Sequence, residues 1–148
     1  MALVCLCSAS CARPYAAHLS AAPWAPGARQ HVVTKVLEFN YQADTNRGLS
    51  GIRGSAAMLP AAVPPGATRY ERIVLKVYVR DDTGRVLDVY TLPCLPRPVS
   101  EPIAFELMLD IPADADRENY YLSFGYSLVL KGDAADSPSV IRQEDAGV

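Results

Sequence analysis

The fold is decided by residues 71–92, which read ERIVLKVYVRDDTGRVLDVYTL. The first half alternates with a period of two, which is the period of a β-strand. One side carries Ile73, Leu75, Val77 and Val79, and the other carries Val74, Lys76, Tyr78 and Arg80. Asp82-Thr83-Gly84 then interrupts the pattern, and Gly84 can supply the positive φ that closes a tight turn. Because apolar alternation resumes at Val86, the stretch predicts an antiparallel β-hairpin whose Ile73 side faces the core.

Other stretches of the chain show the same period. They predict strands over residues 32–42, 52–58, 103–111 and 120–131, with 137–141 as a candidate edge strand. In the third stretch Phe105 faces the core and Met108 faces the other way, and in the fourth Gly125 predicts the close approach of another segment. Pro93 to Pro98 is expected to connect strands, since proline donates no ladder hydrogen bond. Six or seven short antiparallel strands predict an all-β sandwich with negligible helix.

One local motif in this predicted sandwich resembles a known family. Asp116 precedes Tyr120 by four residues and Leu122 follows it by two. This spacing resembles the tyrosine corner of immunoglobulin-like domains, in which the tyrosine hydroxyl bonds back to upstream backbone. The resemblance implies an immunoglobulin-like or fibronectin-like sandwich. Leu122 stands where such domains carry their second cysteine, so no disulfide is expected.

The first twelve residues form a short apolar stretch that ends in small residues. Ser8-Ala9-Ser10-Cys11 resembles the lipobox of bacterial lipoproteins, which implies lipidation at Cys11 and a periplasmic, membrane-anchored location. The sequence departs from the family's pattern, because Ser8 stands where leucine is usual and no basic residue precedes the apolar stretch. A cleaved signal of a soluble exported protein and an apolar cytosolic N-terminus remain alternatives.

The domain organisation follows from these patterns. Residues 1–11 are interpreted as the export and lipoprotein signal, and 12–31 as a flexible tether rich in alanine and proline. Residues 32–142 are predicted to be the sandwich, and 143–148 a frayed C-terminus. Because Trp24 falls in the tether, we do not expect it in the core.

Charge and residue types narrow the classes of function. The net charge is −2 and the arginines are scattered, which argues against nucleic-acid binding. Both histidines, His18 and His31, lie in the tether, so the predicted core lacks the commonest general base and metal ligand. We therefore predict no catalytic residues and no cofactor.

Three local features have an alternative chemical interpretation. Asp82-Thr83-Gly84 matches the aspartic-protease tripeptide, but a hairpin turn explains these residues fully. Cys94 has no nearby histidine that would activate its thiol. An acidic loop could offer oxygen ligands to calcium, although solvated acidic loops are commonplace and no metal site is predicted; it comprises Asp110, Asp114, Asp116 and Glu118.

The outer face of the hairpin is the predicted partner surface. It carries Val74, Tyr78, Leu87 and Val89. Exposed apolar patches of this kind mark contacts with other proteins, here an envelope component or a second copy of the chain. Two alternatives for this face are that residues 60–69 cover it, or that the N-terminal segment does.

The sequence thus predicts a non-enzymatic envelope lipoprotein whose sandwich mediates protein–protein interaction or assembly. Membrane contact is expected through the lipid anchor alone. The alternatives are a small carboxylate- or metal-dependent hydrolase and a cytosolic or virion structural subunit.

Overall fold

A computed structural model describes residues 14–115 and 119–147 and shows two antiparallel sheets packed face to face, a β-sandwich. The first sheet contains β1 (Ala21–Pro23), β5 (Arg69–Arg80), β6 (Val86–Cys94), β7 (Arg97–Pro98), β9 (Tyr121–Lys131) and β10 (Val140–Glu144). The second contains β2 (Arg29–Val33), β3 (Leu37–Asn46), β4 (Leu49–Met58) and β8 (Ile103–Leu109). Across the described ranges the helical content is a 3₁₀ turn at Pro60–Ala62. The prediction of an all-β sandwich is therefore confirmed.

Strand order explains which edges of the sheets are open. The first sheet runs β1–β9–β5–β6, with β10 also paired to β9 and β7 to β5. The second runs β2–β3–β4–β8. The strands β6 and β8 therefore each pair with a single neighbour, β5 and β4 respectively.

The predicted hairpin is present as β5 and β6. Gly84 has a φ of 93°, in the left-handed region that glycine adopts most readily. The four residues of β5 predicted to face inward are all buried in the core: Ile73, Leu75, Val77 and Val79. The ring of Phe39, on β3 of the facing sheet, stacks against the ring of Phe124 on β9 with centroids 4.4 Å apart, so the two sheets are in aromatic contact at the centre of the sandwich.

Several strand boundaries differ from the predictions: β4 begins three residues earlier, β10 lies three residues later, and the short β7 falls within the predicted connection. Two further differences have a local physical cause. Residues 32–42 do not form one strand, because Thr34 caps a turn between β2 and β3 by accepting the N–H of Leu37 at 3.0 Å. Pro93 does not end the hairpin, because β6 continues to Cys94, which lies opposite Ile73. Proline is tolerated there since β6 is an edge strand and its outward side needs no donor.

The N-terminal segment is not a flexible tether in the part that the structure describes. β1 pairs with β9, setting Ala22 opposite Leu122. Trp24 is 1% exposed, and its backbone N–H donates to the Tyr120 carbonyl at 2.8 Å. The prediction for residues 14–31 was wrong because the short β1 ends at Pro23, so proline interrupts little pairing while Trp24 gains a large buried area.

The C-terminal boundary also differs. Residues 143–147 are not frayed, since β10 runs to Glu144 and Gly147 exchanges two hydrogen bonds with Tyr15, at 2.7 and 2.8 Å. The sandwich therefore begins before residue 32 and ends beyond residue 142. Asp116, the first residue of the motif that resembles a tyrosine corner, lies outside the described residues, and so does Cys11.

Candidate functional site

The structure divides the predicted partner surface into a covered part and an open part. Tyr78 is 2% exposed, so the prediction that it lies on an open partner surface was wrong. Leu87 and Val89 are 42% and 40% exposed, and Val74 is half-buried. Among the alternatives for this face, cover by the N-terminal segment is what the structure shows at Tyr78.

Residues 14–20, called here the N-terminal strap, cover Tyr78. Ala16 and Leu19 form a small apolar cluster with Tyr78 and Val86, separate from the main core. Backbone hydrogen bonds fix the strap to the hairpin turn: the Ala16 N–H donates to the Gly84 carbonyl at 2.8 Å, and the Val86 N–H to the Pro14 carbonyl at 3.1 Å. The strap is therefore part of the fold rather than a loose extension.

A polar cluster closes the covered area on its other side. The Asp145 carboxylate accepts a hydrogen bond from the Tyr78 hydroxyl and pairs with the Lys76 ammonium. His18 in the strap reaches the backbone carbonyl of Asp145 at 2.8 Å. Because the carboxylate has both a cationic and a hydroxyl partner, the cluster holds the C-terminal segment against the sheet.

Gly125 has the close contact that its position in the sequence predicted. A Cβ there would lie 2.7 Å from the Glu144 carbonyl oxygen and 3.0 Å from the Tyr78 ring. Only a residue without a side chain lets Tyr78 and β10 pack this closely on β9.

The open part of the hairpin face lies on β6. Leu87 and Val89 line a shallow groove with Pro14 at the end of the strap. The Asp88 carboxylate accepts the Val89 N–H at 2.8 Å and the Tyr90 hydroxyl at 2.7 Å. The Tyr90 hydroxyl in turn accepts the Asp110 N–H at 2.6 Å, which ties β6 to the end of β8.

A second open surface, which the sequence analysis missed, lies on the outer face of the β3–β4–β8 sheet. It is a groove of about 320 Å³ where Gly51 leaves room between Leu49 and Met108. Met108 is 56% exposed, as its face assignment predicted. Asp44 and Arg53 pair at 3.5 Å along the groove. The alternation of Ala104, Glu106 and Met108 was visible in the sequence, but which strand lies at an edge was not.

The surroundings of Cys94 and of Asp82-Thr83-Gly84 argue against the alternative chemical interpretations of these residues. Burial raises the pKa of the Cys94 thiol, which disfavours a reactive thiolate. The Asp81 carboxylate accepts the Thr83 hydroxyl at 2.6 Å and the backbone N–H groups of Thr83 and Arg85, and it organises the turn that contains Asp82-Thr83-Gly84. The Thr83 hydroxyl is the main cause that lowers the Asp81 pKa.

The acidic loop is only partly described, since Asp116 and Glu118 lie outside the described residues. Within residues 14–115 and 119–147, no cluster of three or more histidine, cysteine or carboxylate side chains is arranged to hold a metal ion. The same ranges contain no helix long and apolar enough to cross a membrane.

Comparison with known proteins gives no relative. No protein-family model matches the chain, and searches of curated proteins and of solved structures return no significant match. The fold and the two open surfaces are therefore the observations on which a function can be argued.

Proposed function

We propose that this protein is a non-enzymatic cell-envelope lipoprotein, anchored through Cys11, whose β-sandwich binds another protein or a second copy of the chain. The observation that carries the proposal is the incomplete cover of the hairpin face. The strap buries Tyr78 but leaves the neighbouring Leu87 and Val89 about two-fifths exposed. Apolar side chains grouped on a strand surface favour a protein contact.

The position of the strap changes how such an anchor would hold the domain. Three peptide units separate the Cα atoms of Cys11 and Pro14, a reach of about 11 Å at most. The Pro14 carbonyl accepts the backbone N–H of Val86, the first residue of β6 after the hairpin turn. An acylated Cys11 would therefore keep the hairpin turn close to the membrane surface, rather than a few nanometres from it as a flexible tether would. Leu87 and Val89 would then face a partner near the membrane.

Site-specific photo-crosslinking in the native host tests the interaction. A photoreactive residue replaces Leu87 or Val89 in turn, and a matched control replaces Asn40, which is exposed on the other sheet. We expect a discrete adduct from positions 87 and 89 and none from position 40, because Asn40 lies on β3, away from the hairpin face. An adduct of twice the chain's mass would identify a homodimer.

The same experiment can reject the proposal. If positions 87 and 89 give no adduct, or give only the adducts that position 40 gives, the hairpin face is not a partner surface.

A further inference from the structure

We propose that the free edge of β8 binds an extended segment of a partner protein by β-strand addition, with a basic residue of that segment opposite Glu106. The inference rests on the proposed function in that both make the domain a protein-binding module. It depends neither on an anchor at Cys11 nor on contacts of Leu87 and Val89.

The backbone of β8 has hydrogen-bonding groups available for such a segment. β8 pairs with β4, in a register that sets Leu107 opposite Ile52. Just beyond the strand, the Asp110 N–H bonds to the Tyr90 hydroxyl of β6 and so points away from β4. In an antiparallel pair the direction of these groups alternates along the strand. The residues whose N–H and C=O groups point outward are therefore Ala104, Glu106 and Met108.

The edge strand β6 of the first sheet shows how this protein protects a strand, and β8 lacks those features. On β6, Pro93 has no N–H to donate, and the Asp88 carboxylate already accepts the Val89 N–H. The pairing of β6 with β5 also shifts register between Val79 and Arg80, near the hairpin turn. Proline, irregular pairing and occupied donors are the usual means of blocking strand addition. β8 contains no proline and pairs without a register shift from Ile103 to Leu109.

The charge of β8 decides which occupant it fits. Full antiparallel overlap with the β8 of a second copy would set Glu106 directly against its own equivalent, and like charges opposite each other destabilise a sheet. Arg53 lies opposite Glu106 on β4, but its guanidinium pairs with Asp44. A lysine or arginine on an added strand would complement Glu106, and apolar residues two positions to either side would lie beside Ala104 and Met108.

Two synthetic peptides test this inference on the full chain. Each has nine residues with leucine two positions to either side of the centre and threonine elsewhere, and they differ only in lysine or glutamate at the centre. We expect the lysine peptide to slow hydrogen exchange at the amides of Ala104, Glu106 and Met108. It should bind about threefold to tenfold more tightly than the glutamate peptide, as opposite charges on facing strands attract.

Charge reversal supplies the decisive variant. Glu106→Lys should reverse the preference between the two peptides, whereas the matched control Glu101→Lys, on an exposed turn before β8, should keep it. Both side chains are exposed, so neither substitution should disturb the fold.

Three outcomes would overturn the inference. The first is that the peptides slow hydrogen exchange only at amides outside β8. The second is that Glu106→Lys keeps the original preference for the lysine peptide. The third is that exchange at β8 slows as protein concentration rises without peptide, which would identify a second copy as the occupant. Crosslinks from positions 87 and 89 report on the hairpin face alone, so failure of either proposal can be recognised separately.

Discussion

Tyr41 and Tyr126 are both buried aromatic residues, but their hydroxyl groups differ in environment. The Tyr126 hydroxyl donates to the buried Glu144 carboxylate at 3.2 Å, and burial followed by the Glu144 charge raises its pKa to about 12. The Tyr41 hydroxyl is buried with no hydrogen-bond partner among the described residues. Burial raises the Tyr41 pKa as well. One hydroxyl therefore contributes a charge-assisted hydrogen bond, and the other contributes only a desolvation cost.

Replacing each tyrosine by phenylalanine should separate these two effects. Tyr126→Phe should lower the free energy of unfolding by about 1.5–3 kcal/mol, since it removes a hydrogen bond to a charged group. Tyr41→Phe should change it by less than about 0.5 kcal/mol or increase it, since no bond is lost. Urea unfolding of both variants beside the original chain measures the difference, and equal or reversed losses would show that the hydroxyl environments are misassigned.

At the scale of single residues, the sequence predicted side-chain faces well and burial of the outer face poorly. Alternation placed Phe105 inside and Met108 outside, and both are found there. The same alternation placed Tyr78 on an outer face, correctly, but could not show that the strap covers it. Cover by a distant segment depends on chain path, which a period of two does not encode.

Among the elements, the N-terminal segment departs most from expectation, and Trp24 reports on it. Trp24 is the single tryptophan of the chain, so its fluorescence arises from this segment alone. Because its ring is buried beside β9, native emission should be blue-shifted and resistant to iodide quenching, and both properties should disappear in urea. Native emission resembling that of the unfolded chain would mean that residues 14–24 are a flexible tether after all.

The strands themselves were predictable where a buried face alternates with an exposed one. β8 has that pattern most clearly, and its position was predicted closely. β5 and β9 were also predicted closely from their apolar alternation, although β9 is buried on both faces. β1 was missed because alanine and proline dominate the local composition, and composition alone favours an extended linker. Of β2, only Val32 and Val33 fell within a predicted strand, and they were joined to β3. The strand conformation of β1 and β2 comes from tertiary pairing with β9 and β3.

For the whole molecule, the strap joins the fold to the proposed anchor. Its hydrogen bonds to the hairpin turn and to Gly147 bring the first described residues and the last ones to the same end of the sandwich. Neither the open part of the hairpin face nor the free edge of β8 was fully predictable from sequence. Leu87 and Val89 followed from alternation, whereas the β8 edge required the strand order, which a period-two pattern cannot give.

Intact-mass analysis of the protein from membranes of its native host tests the anchored lipoprotein most directly. The account predicts a chain that has lost residues 1–10 and carries added acyl mass on Cys11. Recovery of an unmodified, full-length chain from the cytosol would contradict it.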